Sequence, residues 1–174
     1  MGSTLPVNVL SINARSEVRF TNRVCGGAMS NIIRLNELAP NSEWIVMSNQ
    51  GTDRFLDLLI TAADTFEKTE HQEKLLSFLK DQKDINDVAP GTAGFDITEM
   101  PWRDETLVDD AGFLLLVIAE AQNESVLTKL PYDANRDIVI PWIKQFAGLV
   151  EHMKNEAKEI RGYEHERGNT QLGQ

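Results

Sequence analysis

Residues 109–121, with the sequence DDAGFLLLVIAEA, decide the fold class of this chain. Within them, residues 113–119 are all apolar, so a helix here is apolar on nearly every side, and such a helix lies at the centre of a domain. The run is much shorter than the roughly 20 apolar residues that a membrane-spanning helix needs. Acidic residues from Asp104 onward suit the positive end of a helix dipole. We therefore predict that a helix opening near Asp104 forms the core of a soluble domain.

Periodic apolar residues predict a helix before this core helix, although its start is open to two interpretations. Over residues 53–67 the apolar side chains recur three and four positions apart, which is typical of a helix with one buried face. The same spacing extends back over 43–50, with Ser42 as a candidate N-cap, and we expect the helix to include these residues. The alternative is a strand at 44–48 and a new helix with Thr52 as its N-cap.

Two further helices are expected on either side of the core helix. Thr69 is a candidate N-cap for the first, in which apolar residues again recur three and four positions apart and which ends near Lys80. The second is the last helix of the chain. It begins near Asp137 or at Pro141, since proline is tolerated in a first helical turn, and it ends at 161–162.

The segment at about 81–102 breaks the helical pattern. It contains two prolines and two glycines, so we predict a long loop with one short strand at 95–98. A loop of about 20 residues is longer than most and is often functional when it is ordered. The expected fold class is therefore mainly α: a compact bundle of about four to five helices with one long loop and a short strand or two.

Residues 1–28 differ in charge from the rest of the chain and allow three interpretations. They hold three arginines against one acidic residue, whereas the whole chain has a net charge of −10. They form an N-terminal arm with weakly alternating, strand-like residues, or a transit peptide, or a segment that is not native because Met29 is the true start. The last interpretation takes the Gly-Gly pair just upstream as a translated ribosome-binding sequence, which implies a bacterial or phage source. The expected organisation is this arm, a single helical domain over 29–162 and a polar tail over 163–174.

Composition and charge limit where this chain works and what it binds. Its 41% of hydrophobic and 25% of charged residues are typical of a globular domain. The single cysteine, Cys25, excludes an intramolecular disulfide and a thiolate metal cluster, and it favours a reducing, cytoplasmic location. The net charge opposes binding to nucleic acid and favours a protein partner with a basic surface. No secretory signal is found and no membrane association is expected, whereas the oligomeric state stays open.

No motif for catalysis, cofactor binding or metal binding is found, so we assign no residues to these roles and expect no cofactor. His71 is placed on the polar side of the helix that Thr69 caps, and no histidine belongs to the His-Glu-x-x-His pattern of zinc enzymes. His152 and Glu156 are one helical turn apart, a spacing more typical of a solvated face than of a cation site. Residues 84–87 lack the glycine and the closing glutamate of a calcium loop, and residues 91–94 lack the lysine of a phosphate-binding loop.

The long loop and the start of the core helix hold the candidate interaction residues. Tryptophan, methionine and arginine are enriched at protein interfaces, and acidic residues complement a basic partner. The alternative is that Trp102 and Met100 fill the core beneath the loop while Arg103 pairs with a neighbouring acid. The candidate interaction residues are Asp96, Glu99, Trp102, Arg103, Asp104, Glu105, Asp109 and Asp110.

Two functions from different classes fit these observations. The first is a non-enzymatic acidic interaction protein, in its finer form an immunity protein or antitoxin-like inhibitor that binds a basic partner. The alternative is a small-ligand-binding domain or an enzyme that uses carboxylates in a helical pocket, such as those of Asp96, Glu99 and Asp104. A flat acidic face with exposed aromatic residues favours the first function, and a concave pocket with buried carboxylates favours the second.

Overall fold

A computed structural model describes three stretches of the chain: residues 30–35, 44–130 and 136–171. For residues 136 and 160–171 only the course of the backbone is described. The arm over 1–28, the candidate start at Met29 and the candidate cap Ser42 lie outside the described residues. The described part is mainly α with a small sheet, as predicted. Its elements are β1 (Ser30–Arg34), β2 (Ile45–Ser48), α1 (Asn49–Ala63), α2 (Glu70–Val88), β3 (Phe95–Asp96), α3 (Leu107–Glu120), α4 (Glu124–Leu127) and α5 (Arg136–Gln171).

The three strands form one small mixed sheet in the order β2-β1-β3. Strand β1 pairs antiparallel with β2, which places Ile33 opposite Ile45, and parallel with β3, which places Ile33 opposite Phe95. All three side chains are buried against the helices. Gly94 precedes β3 with a φ of +150°, and a Cβ on it would lie 2.6 Å from the carbonyl oxygen of Ile32. Glycine is therefore required where the chain passes β1.

The expected helix over 43–50 is wrong, because residues 45–48 form strand β2. Their side chains alternate between buried and exposed, with Ile45 and Met47 inside and Val46 half-exposed, which is the period of a strand. Four residues are too few to distinguish this period from a helical one in the sequence. Helix α1 begins at Asn49, and its cap is Ser48 and not the Thr52 of the alternative: Ser48 accepts a hydrogen bond from the amide of Gly51 at 3.1 Å.

Helix α2 confirms its expected cap but extends eight residues beyond its expected end at Lys80. Thr69 accepts a hydrogen bond from the amide of Gln72, whose side chain accepts one from the amide of Thr69, so the two form a capping box. The helix continues to Val88 because polar contacts, and not apolar periodicity, hold its last turns. The loop expected at about 81–102 is therefore displaced to residues 89–106 and includes β3 and a 3₁₀ turn over Ile97–Glu99.

Helix α3 is the expected core helix, and it packs mainly against α5. Phe113, Leu114, Val117 and Ile118 are buried, but Leu116 is 58% exposed, so this helix also has an outer face. The helix therefore lies in the core, with one side open to solvent. Helix α5 begins at Arg136, and the end expected at 161–162 is wrong because the helix continues to Gln171. A single glycine within a helix lowers the stability of the helix by only about 1 kcal/mol relative to alanine, so it does not by itself end the helix.

Aromatic side chains join four of the elements in the core. The ring of Phe146 on α5 lies edge-on to the rings of Phe55 on α1 and Phe95 on β3, with distances of 5.4 Å and 6.3 Å between ring centroids. The ring of Phe95 in turn lies edge-on to that of Phe78 on α2, with a centroid distance of 5.1 Å. Edge-to-face geometry stabilises the fold by about 0.5–1.5 kcal/mol per pair, in addition to the stabilisation from burying the rings. None of the helices in the described part of the chain is both long and apolar enough to cross a bilayer.

Candidate functional site

The segment from β3 to the 3₁₀ turn is held by its own carboxylates. The side chain of Asp96 accepts hydrogen bonds from the amide of Thr98 at 3.0 Å and from its hydroxyl at 2.7 Å. Glu99 in turn accepts one from the amide of Asp96 at 3.2 Å, which completes a capping box. Asp96 is buried, and its second oxygen lies 3.6 Å from Nε of Arg34 on β1. These two candidate residues therefore contribute to the local structure.

Trp102 lies half-buried at the end of the same segment. Its Nε1 donates a hydrogen bond to the carbonyl oxygen of Ile97 at 2.7 Å, and its ring packs against the core. Met100 is only 3% exposed. Both side chains thus fill space beneath the loop, and only part of the tryptophan ring reaches the surface.

Charged residues form an exposed ledge where α3 begins. Arg103, Asp104 and Glu105 lie in the turn before the helix, Asp109 lies in its first turn, and all four are exposed. We call these four residues the ledge. The turn borders a shallow depression that Trp102 and Thr106 also line. Three of the four residues are acidic, so the ledge presents net negative charge to solvent.

Asp110 follows the ledge in sequence but points inward. It is 3% exposed and accepts a hydrogen bond from the hydroxyl of Thr106 at 2.5 Å. Its Oδ2 also lies 3.2 Å from Nε2 of His71 on α2, whose side chain is 11% exposed. This contact is short but not aligned as a hydrogen bond, and both ring nitrogens of His71 are buried with no hydrogen-bond partner among the residues that the structure describes. The structure therefore places an imidazole and a carboxylate side by side below the surface.

These two residues border a cleft of about 350 Å³ between the first turns of α2 and α3. The cleft shares Arg103 and Thr106 with the depression, so the two adjoin. At its mouth Lys74 donates a hydrogen bond to the carboxylate of Glu70 at 2.9 Å, and this bond, with the charge of Lys74, lowers the pKa of Glu70. The cleft is lined by Thr69, Glu70, His71, Gln72, Lys74, Arg103, Thr106, Asp109 and Asp110.

His71 was not among the expected site residues, because it was placed on the polar side of its helix. It lies four positions before Leu75 and eight before Leu79, both of which are fully buried. Residues at this spacing share one helix face. That spacing was the available signal that His71 faces inward, although its contact with Asp110 depends on how α2 and α3 pack.

The outer face of α3 extends the ledge along the helix. Leu116 lies seven residues after Asp109 and four before Glu120, so the three share one stripe. Near the middle of this stripe, Nζ of Lys154 from α5 lies close to Gly112. A Cβ atom added to Gly112 would be 3.2 Å from this Nζ. An exposed leucine with acidic residues on both sides is thus continuous with the ledge.

Known proteins provide no assignment for this arrangement. No protein-family model, no curated protein and no solved structure matches the chain. Within the described ranges, no three side chains of histidine, cysteine, aspartate or glutamate are grouped so that they could hold a metal ion. The arguments for function therefore rest on the geometry of the ledge and the cleft.

Proposed function

We propose that this chain is a non-enzymatic interaction protein whose ledge binds a basic surface of a partner protein. The observation that carries this proposal is how the candidate carboxylates are divided. Those of Asp96 and Asp110 are buried, whereas Asp104, Glu105 and Asp109 are exposed close together at the start of α3. Exposed charges of one sign speed encounter with an oppositely charged partner and select against other partners.

The surroundings of the ledge support a protein partner. Leu116 extends it with an exposed apolar side chain, and interfaces combine an apolar centre with a charged rim. The net charge of −10 acts in the same direction over a longer range. A cytoplasmic inhibitor of a basic enzyme, of the immunity-protein or antitoxin kind, is the finer form of this function that charge and size favour.

The test compares two triple variants with the same change in charge. Asp104→Asn with Glu105→Gln and Asp109→Asn removes the acids of the ledge. The control removes three exposed acids of α5, in the variant Glu151→Gln with Glu156→Gln and Glu159→Gln. Wild-type protein and both variants are immobilised and exposed to extract of the source cell, and retained proteins are identified by mass spectrometry. We expect a basic protein that the wild type and the control retain and the ledge variant loses.

The kinetics of the purified pair complete this test. Association should slow steeply as salt is added, because charges are screened over about 8 Å at physiological ionic strength. The ledge variant should associate more slowly than the control at low salt and converge with it at high salt. The proposal is refuted if the ledge variant retains the same proteins as the wild type, or if the association rate does not change with salt concentration.

The cleft favours a second candidate function, a small-ligand-binding domain or enzyme. The specific observation is the His71–Asp110 pair, because an imidazole beside a buried carboxylate is a frequent arrangement for acid–base chemistry. None of the three carboxylates expected for this role, those of Asp96, Glu99 and Asp104, lines the cleft. A thermal-shift screen of metabolites distinguishes the candidates: a compound that stabilises the wild type and the double variant Asp104→Asn with Glu105→Gln, which leaves the cleft lining unchanged, but does not stabilise His71→Gln, supports the small-ligand function.

A further inference from the structure

A second exposed surface lies at the end of α2. Val88 is 86% and Ile85 41% exposed, and the next two residues, Ala89 and Pro90, are also exposed. Asp81 and Asp84 lie seven and four residues before Val88, so they share one helix face with both apolar side chains. We call Asp81, Asp84, Ile85 and Val88 the α2 end patch. It differs from the ledge in position, because the ledge adjoins the first turn of α2, about 27 Å away along a helix of this length.

The opposite face of the same turns is anchored by buried polar groups. Asn86 is 2% exposed, accepts a hydrogen bond from Asn31 of β1 at 2.7 Å, and donates to Asp53 of α1 at 2.8 Å. One turn earlier, Nζ of Lys83 lies 3.2 Å from a carboxylate oxygen of Asp57. A helix end fixed in this way displays its outer face without fraying. Pre-organised surfaces lose less conformational entropy on binding, which favours a docking role.

Charge decides which occupant fits the patch. Within the described part of the chain, neither Asp81 nor Asp84 takes part in an ion pair. A second copy of this chain, with a net charge of −10, would bring like charges together, and nucleic acid and anionic lipid would be repelled for the same reason. An apolar strip beside two carboxylates instead complements a helix with an apolar stripe and flanking basic residues.

We infer that the α2 end patch is a docking site for a basic amphipathic helix of a partner protein, separate from the ledge. Leucine-like side chains of the partner pack on Ile85 and Val88, and its arginines or lysines pair with Asp81 and Asp84. The inference does not depend on the ledge, since a different set of residues carries it.

The test uses a fluorescein-labelled synthetic peptide of leucine, alanine and arginine whose leucines are spaced three and four positions apart. Its affinity is measured by fluorescence anisotropy at physiological ionic strength. Val88→Ser should raise the Kd about tenfold, which corresponds to about 1.4 kcal/mol and to the loss of one buried valine contact. Leu116→Ser, which removes the exposed leucine beside the ledge, is the matched control and should change the Kd less than about twofold. Both positions are exposed, so both variants should fold.

The possible outcomes distinguish a basic helix bound at the α2 end patch from binding beside the ledge and from a second copy of the chain. A Kd that rises with Val88→Ser and with Asp81→Asn plus Asp84→Asn, but not with Leu116→Ser, supports the inference. If Leu116→Ser weakens binding and Val88→Ser does not, the peptide binds beside the ledge and the inference is wrong, whereas the proposed function stands. Absence of measurable peptide binding also overturns it. So does a dimer in sedimentation that Val88→Ser dissociates, because the occupant is then a second copy.

Discussion

Replacing Asn86 by alanine should remove a buried polar side chain that makes three hydrogen bonds. Its oxygen accepts from Asn31 at 2.7 Å, and its nitrogen donates to the carbonyl oxygen of Asn49 at 3.0 Å and to the carboxylate of Asp53 at 2.8 Å. Neutral hydrogen bonds contribute about 1 kcal/mol each and one to a charged group about 1.5–3 kcal/mol. The expected loss of unfolding free energy is therefore about 3–5 kcal/mol, which lowers the melting temperature by about 10 °C in a chain of this length.

The measurement is urea unfolding followed by circular dichroism, with thermal unfolding as the second readout. Asn155→Ala is the matched control, because Asn155 is an exposed asparagine on α5. Alanine has the higher helix propensity, so the control should be neutral or slightly stabilised. Asn86→Asp should cost more than alanine at neutral pH, because it places a second carboxylate where Asp53 now accepts a hydrogen bond. A loss below about 1 kcal/mol for Asn86→Ala would refute the argument that this network holds the end of α2.

Three further predictions concern the core, the sheet and the pH dependence of stability. Leu114→Ala should cost about 2–5 kcal/mol in urea unfolding, since Leu114 is 1% exposed, and a loss below about 1 kcal/mol would show that α3 is not central. Gly94→Ala should cost about 1–3 kcal/mol in the same assay, because its Cβ meets the backbone of Ile32; an unchanged midpoint contradicts that contact. Burial alone lowers the pKa of Lys83, but Asp57 and two further carboxylates outweigh it and raise that pKa above its ordinary value of 10.5. The stabilisation by Lys83 is thus complete below pH 10.5 and lost as the pH rises through the higher value of the folded state, so the stability difference between wild type and Lys83→Met should shrink there and not at neutral pH.

The candidate site was predictable only in part. The concentration of charge around residues 103–109 is visible in the sequence, and the structure exposes it as one ledge. Which acids turn inward was not predictable, because the apolar run over 113–119 occupies every side of the helix and so does not show whether the side of Asp109 or that of Asp110 faces the core. His71 differs: its spacing from Leu75 and Leu79 indicated that it faces inward, but its neighbour Asp110 belongs to another helix, and no local pattern joins the two residues.

Two errors in the predicted element boundaries have different physical causes. The end of α2 was expected near Lys80 because apolar residues stop recurring there, yet Lys83 and Asn86 continue the buried side with charged and amide groups. Strand β2 was assigned to a helix because four residues carry too little periodicity. Its pairing with β1 is what selects the strand.

The sequence by itself determined the helical class, the capped start of α2 and the position of α3 in the core, because apolar periodicity and capping are local properties of the chain. The tertiary structure alone decided the mixed sheet, the extent of α2 and the division of the acids into a buried set and an exposed ledge. Those features depend on partners distant in sequence, as with Asn31 and Asn86, which are 55 residues apart. A side chain's spacing shows which face of a helix it occupies, but only packing decides what covers that face.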